Sequence, residues 1–162
     1  MNRSLTKKYL IEILLIVAVV CLDIVSKIFL FGKEFDLIPS ILGVRYVGHL
    51  NTGGAWGFLG SSMWLLILFT LVFLAVVIFV EIRFGLRHPL YIISLSLVVG
   101  GAVGNLIDRL FLGGVRDFLY FEFWPTYPTF NLADVSLVIG MILLAIFVLF
   151  IMKVGDKKES KL

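Results

Sequence analysis

Apolar residues along this chain fall into four long, nearly unbroken blocks, at about 9–31, 63–80, 90–108 and 132–154, separated by shorter segments rich in Gly, Pro and charge. Each block approaches the roughly 20 residues that a helix needs to cross a bilayer. The intervening segments differ in kind. Residues 32–60 are too polar and too broken to span, hold Pro39, and include the alternating stretch GVRYVGHLN, which predicts a short strand ahead of NTGGAWG. Residues 111–130 read as a Gly- and aromatic-rich loop. The pattern predicts a mainly α membrane protein. Its single integral domain over 1–162 is a bundle of four transmembrane helices, with a small β-rich segment after the first helix and a loop before the last.

Composition agrees with the pattern. Of 162 residues 60% are hydrophobic and 15% charged, and the mean hydropathy is +1.09, which belongs to the membrane class. The net charge of +3 does not point to nucleic acid, because the basic residues flank the apolar blocks, where they anchor to an anionic lipid surface. The lone Cys21 excludes an internal disulfide, and His49 and His88 lie too far apart to suggest a metal site. The first block continues about ten residues beyond the weak AVVC box at 18–21, longer than the core of a signal peptide, so it is expected to be retained as a span.

Charge also sets the expected orientation. Nine Lys/Arg (3, 7, 8, 83, 87, 153, 157, 158, 161) sit at the N-terminus, the turn after the second block and the C-terminal tail; four (33, 45, 109, 116) sit in the other two loops. By the positive-inside rule both termini are cytoplasmic, and NTGGAWG and the 109–117 segment face outward. Trp56 suits the headgroup level there. Glycines 53, 54 and 57 leave the backbone able to approach a ligand or another strand closely, although the motif alone favours a plain interfacial turn.

Asn105, Asp108, Arg109, Asp117, Asn131 and Asp134 then stand beside or within the apolar blocks, where an ionisable group costs roughly 2.5 to 3.5 kcal/mol at a helix centre. Asn105 and Arg109 share one helical face, above a Gly100/Gly101/Gly104 stripe that permits close helix packing. Asn131 is placed to cap the fourth helix with Asp134 in its first turn. Asp117 and Asp134 are expected at one depth. Two carboxylates within about 3 Å share a proton and can activate a water, the machinery of aspartic peptidases. Asp134, at the positive end of its helix, is expected to be the more readily ionised. In the first block Asp23 and Lys27 are four apart, acid first, and form either a self-neutralising structural pair or part of the cleft; both require them to face inward.

Taken in order, LDIVSK, NTGGAWG, GNLIDR, GGVRDF and FNLADVS resemble the boxes of bacterial lipoprotein signal peptidase, or signal peptidase II, across the whole chain. The resemblance implies a catalytic dyad of Asp117 and Asp134 and pocket residues Asn51, Gly53, Asn105, Arg109 and Asn131, with Asp23 and Lys27 in support. It further implies removal of the signal peptide from diacylglyceryl-modified prolipoproteins, cleaved just before the lipidated cysteine. No cofactor or metal is implied. The enzyme would act as a monomer in the bacterial cytoplasmic (inner) membrane, multi-pass, among membrane lipids, with its site at the outer leaflet. Two positions depart from the family's pattern: Gly54 replaces a usual Ala, and Arg116 replaces the apolar residue common before the Asp of GGVRDF. An extended segment turns Arg116 away from the dyad; an inward turn sets its charge beside Asp117.

The competing class is a small ion- or proton-conducting protein, since intramembrane charges also mark ion pathways. The second block lacks charge and the cytoplasmic halves of the others are nearly bare, which disfavours a relay. The GxGD and GxSG boxes of other intramembrane proteases are absent.

Overall fold

A computed structural model describes residues 3–53 and 62–152 of the chain. Its long helices are α1 (Arg3–Leu30), α2 (Met63–Phe84), α3 (Pro89–Leu112) and α4 (Leu132–Ile146), the last continuing through a π-helical stretch, Phe147–Met152. All four are long and apolar enough to cross a membrane. They run past the hydropathy blocks at the start of α1, the end of α2 and both ends of α3, because a helix carries its polar turns into the interface, where backbone bonds still need partners. Gly54 to Gly57, including Trp56, and the basic tail from Lys153 onward lie outside the described residues.

The bundle is organised around α3. Of its most apolar window 67% is buried, against 6–11% for the other three, whose outer faces are left for lipid. The glycine stripe explains how α3 touches both neighbours. A Cβ on Gly100 would stand 2.7 Å from Val19 of α1, and one on Gly104 would stand 2.5 Å from Asp23 Oδ2. A Cβ on Gly101 would collide with the Ala133 carbonyl of α4. The stripe therefore serves two different partners, which a GxxxG spacing does not reveal.

Three short antiparallel strands form a sheet in the order β1 (Phe35–Ile38), β2 (Leu42–Val44), β3 (Leu119–Phe121). The strand expected over 43–51 is shorter and begins earlier, and the loop expected over 111–130 contributes a strand of its own. In both cases tertiary pairing, Gly43 opposite Tyr120 and Val44 opposite Leu119, decides where the ladder stops. Two isolated bridges extend the sheet's reach, Asn51 to Val115 and Leu119 to Phe130. They draw three remote segments together at one end of α3.

At the opposite end lies a second polar cluster that the hydropathy blocks concealed. α2 runs on to include Glu81, which pairs with Lys8 of α1 and accepts from the Tyr91 hydroxyl of α3 at 2.8 Å. Lys8 also lies 3.4 Å from Glu12. The expectation of a chargeless second span with nearly bare neighbours is thus corrected. These groups clasp the loosely packed α2 to α1 and α3.

Candidate functional site

The site is assembled by the sheet's bridges and by one helix cap. Asn51 and Val115 exchange backbone bonds of 2.8 and 2.9 Å, which sets Asn51 two residues from Asp117. Leu119 and Phe130 exchange two of 2.9 Å, which sets Asn131 beside the same strand. Asn131 then starts α4 with a reciprocal capping box: its Oδ1 accepts from the Asp134 N–H at 3.0 Å, and its own N–H donates to Asp134 Oδ2 at 3.1 Å. Because the acid of the box is Asp134, the cap that begins the helix also aims its carboxylate.

Asparagine amides complete the array. Asp117 accepts from Asn51 Nδ2 at 2.7 Å on one oxygen and from Asn131 Nδ2 at 2.6 Å on the other. Asp134 Oδ1 accepts from Asn105 Nδ2 at 2.7 Å. Asn131 Nδ2 reaches Asn105 Oδ1 at 3.0 Å as well. Asn131 therefore touches both carboxylates, one through its side chain and one through its backbone.

Beneath this layer lies a buried ionic support. Lys27 Nζ donates to Asp23 Oδ2 at 2.7 Å and to Asn105 Oδ1 at 3.0 Å, and stands 3.5 Å from Asp108. Asp23 Oδ1 accepts from the Ala133 N–H of α4 at 2.9 Å. The Asp23–Lys27 pair thus faces inward and neutralises itself; it does not line the cleft, although Lys27 holds an amide that does. Arg116 turns away from Asp117: its guanidinium grips Asp108 at 2.8 and 3.2 Å, and its backbone N–H donates to the same carboxylate at 3.0 Å. Asp108, seen in the sequence only as part of a polar helix end, is the anchor of the Asp117 segment. The signal for it was a buried acid eight residues from a basic one across a Gly-Gly turn.

The polar layer opens on a cavity of about 250 Å³ lined by Asn51, Asn105, Arg109, Asp117 and Asp134, with Tyr127, Phe130 and Val138 among its walls. The Nε of Arg109 is buried and has no hydrogen-bond partner among the described residues, a donor left for whatever enters. Asn131 is 0% exposed and lies behind the carboxylates rather than in the cavity wall. Gly53 stands at the rim of an adjoining recess, its N–H donating to Asn51 Oδ1 at 3.1 Å, so it orients that amide. Burial and the neighbouring Asp134 charge push the Asp117 carboxyl up to about 6, against the pull of its two amide donors and of Lys27. Among the described residues no cluster of His, Cys, Asp or Glu could hold a metal.

Comparison with known proteins follows the same boundaries. The family model described as Signal peptidase (SPase) II matches residues 15–150. The chain is 40% identical over 147 residues to a lipoprotein signal peptidase of Bacillus pumilus (strain SAFR-032), covering 88% of this chain and 91% of that protein. Two solved structures, each described as a bacterial membrane enzyme determined by the in meso method, superpose with TM-scores of 0.77 and 0.75 at 34% identity. They cover 91% and 86% of this chain and 92% of each of theirs.

Proposed function

The chain belongs to the signal peptidase II family, and from that premise we propose that Asp117 and Asp134 are its catalytic pair. The family makes it an aspartic-type peptidase of a bacterial membrane that removes signal peptides from prolipoproteins. The observation that carries the residue assignment is the double hold of Asn131 on the two carboxylates. A pair so held keeps one proton between its members, Asp117 as acid and Asp134 as base.

The chemistry proceeds with water as nucleophile. Asp134 takes a proton from the water as its oxygen attacks the scissile carbonyl carbon, while Asp117 donates its proton to the carbonyl oxygen. In the resulting diol, Asp134 returns the proton to the leaving nitrogen and the C–N bond breaks, with Asp117 recovering its own from the collapsing hydroxyl. Each carboxylate oxygen already accepts one amide or N–H bond, so the pair is fixed before substrate arrives. Asn105 and Arg109 hold the substrate's carbonyl or ester oxygens, and Asn51 and Gly53 line the approach. No cofactor is required by these steps.

The substrate is read as a prolipoprotein whose cysteine carries a diacylglyceryl group, cut just before that cysteine. An apolar recess of about 230 Å³, lined by Phe121, Tyr127, Phe130, Val135, Val138 and Ile139 and sharing Asp134 with the polar cavity, suits an acyl chain at that position. The charge bias supports a position for the pair at the outer leaflet of the cytoplasmic membrane, with both termini inside, and the enzyme is read as a monomer with lipid against its apolar faces. Ion conduction is not favoured: residues 13–22 of α1 carry no acidic or basic side chain between the Glu12 and Asp23 clusters.

Purified protein incubated with a diacylglyceryl precursor peptide and its unlipidated twin tests the reading. Release of signal peptide from the lipidated form alone is expected, abolished by Asp117→Asn or Asp134→Asn with the fold retained. Turnover surviving both substitutions would remove the pair from catalysis.

A further inference from the structure

Two recesses adjoin the cavity of the carboxylate pair, one at each carboxylate. The apolar one, shared at Asp134, is built on α4 and three aromatic rings. The other, of about 260 Å³, is shared at Asn51, Asp117, Pro128 and Thr129. No residue lines both recesses, and the second takes its whole lining from outside the helices. One of its walls is backbone that the sheet leaves unpaired. Arg45 N–H donates to the Phe118 carbonyl and Asn51 N–H to the Val115 carbonyl, each at 2.8 Å. The stretch 46–50 between them faces only Arg116 and Asp117 across the ladder, so it bows out of register, bending at Gly48 and His49. Among the described residues it makes no backbone–backbone hydrogen bond. Val47, His49 and Leu50 of this bow line the recess.

Amide groups with an imidazole among them complement a peptide segment better than an acyl chain, because each peptide group brings one donor and one acceptor. The substrate's own connectivity says which segment. Three arms meet at a lipidated cysteine: the signal segment through its nitrogen, the diacylglyceryl group through its sulfur, and the released protein through its carbonyl. The signal segment is an apolar helix that stays among lipid, and the acyl arm suits the aromatic recess beside Asp134. That leaves the helix-free, amide-lined recess beside Asp117 for the third arm. Resting on the peptidase reading above, we propose that this recess binds the first residues after the cysteine by their peptide groups, with His49 as a specificity-determining side chain. The two recesses then hold two substituents of one cysteine apart, which fixes the scissile nitrogen between the carboxylates.

The test uses diacylglyceryl precursor peptides that share one signal segment and end, as C-terminal amides, at the cysteine or one to five residues beyond it, cleaved by the full chain in detergent. kcat/KM should rise roughly ten-fold over the first three added residues, the net yield of two or three peptide hydrogen bonds, and then level off. An ether spacer of equal length should not reproduce the rise. His49→Ala, and Val47→Trp, which fills the recess, should each cut the ratio of long to short peptide by roughly three-fold. His49→Gln, which keeps a donor and an acceptor, should retain most of it. Because the ratio compares two substrates on one protein, a general loss of folding or of the carboxylate pair lowers both values and leaves it unmoved. A level series from the unaltered protein, a rise reproduced by the spacer, or a ratio unmoved in both His49→Ala and Val47→Trp would overturn the proposal and leave the peptidase standing. Cleavage of no peptide at all would overturn the peptidase reading, and the proposal with it.

Discussion

Lys27 Nζ donates to Asn105 Oδ1 at 3.0 Å, and that contact, together with the Asn131 Nδ2 donor on the same oxygen, decides which way the Asn105 amide faces. With its oxygen turned to the ammonium, its nitrogen must face Asp134, where it donates at 2.7 Å. An ion pair that never enters the cavity thereby orients a group that does.

Removing one member of that pair should cost more than removing both. Lys27→Met leaves Asp23, 0% exposed, without its counter-charge, and breaking a buried pair in this way costs about 3–5 kcal/mol. Asp23→Leu/Lys27→Met should recover much of the stability and little of the turnover, since Asn105 Oδ1 then keeps only the Asn131 Nδ2 donor to hold its orientation. Thermal unfolding in detergent of the two singles and the double measures the first; kcat on a lipidated peptide measures the second.

The Asp117 carboxyl, held at about 6, sets an alkaline limb. Below that value the pair keeps the shared proton; above it, both members ionise and the acid is lost. The free enzyme's kcat/KM should therefore fall as pH rises through about 6. A profile flat to pH 8 would place the shared proton elsewhere.

Stability carries the same group with a definite sign. Its native value near 6 stands above the 3.8 of an unperturbed Asp, so between these values the folded state binds more protons than the unfolded one. The protein should then lose stability as pH rises across that window, by at most about 3 kcal/mol. Asp117→Asn removes the charge but sets an amide N–H against a donor from Asn51 or Asn131, so a gain of roughly 1–2 kcal/mol is expected at pH 7, disappearing near pH 4. Denaturation of the inactive variant against the native chain at both pH values checks it.

How much of this was readable from the residues depends on scale. Four helices follow from apolar runs, because hydrocarbon leaves the backbone few other options. The polar residues of the site stand out for the same reason: Asn105 and Asp134 are anomalous where they are. What periodicity cannot show is register across distant segments. The pairing of Gly43 with Tyr120, the bridge from Asn51 to Val115 and the clasp of Lys8 on Glu81 join residues many turns apart. The position of Asn131 behind the carboxylates rather than in the cavity wall is of that kind, since spacing identifies a cap without saying which of its atoms remain free.

Arg116 should matter for geometry more than for charge at the carboxylate pair. Its backbone and guanidinium both bind Asp108, locking the residue before Asp117 to the end of α3. Arg116→Met is expected to destabilise by roughly 2 kcal/mol, below the usual range for a fully buried pair because the Arg116 side chain is 17% exposed. Arg116→Lys should restore only part, since one ammonium cannot reproduce a two-pronged grip. The alkaline limb should stay near its original pH in both, while kcat falls.

Gly104→Ala tests whether close helix approach and chemistry are one requirement. A Cβ there would stand 2.5 Å from Asp23 Oδ2 and 3.2 Å from its Cγ, too near to tolerate without moving the carboxylate. Asp23 cannot move freely, because it holds both Lys27 and the Ala133 N–H in the first turn of α4. Displacing it should loosen the start of α4 and, through Lys27, the Asn105 amide. Gly104→Ala is accordingly expected to lower kcat at least ten-fold together with a loss of about 1–3 kcal/mol, in the range of overpacked interiors. Gly48→Ala, where a Cβ meets nothing closer than 3.7 Å, is the control and should leave both unchanged. Equal behaviour of the two variants, read by turnover and thermal unfolding, would mean that α1 and α3 can part at this level without disturbing the site.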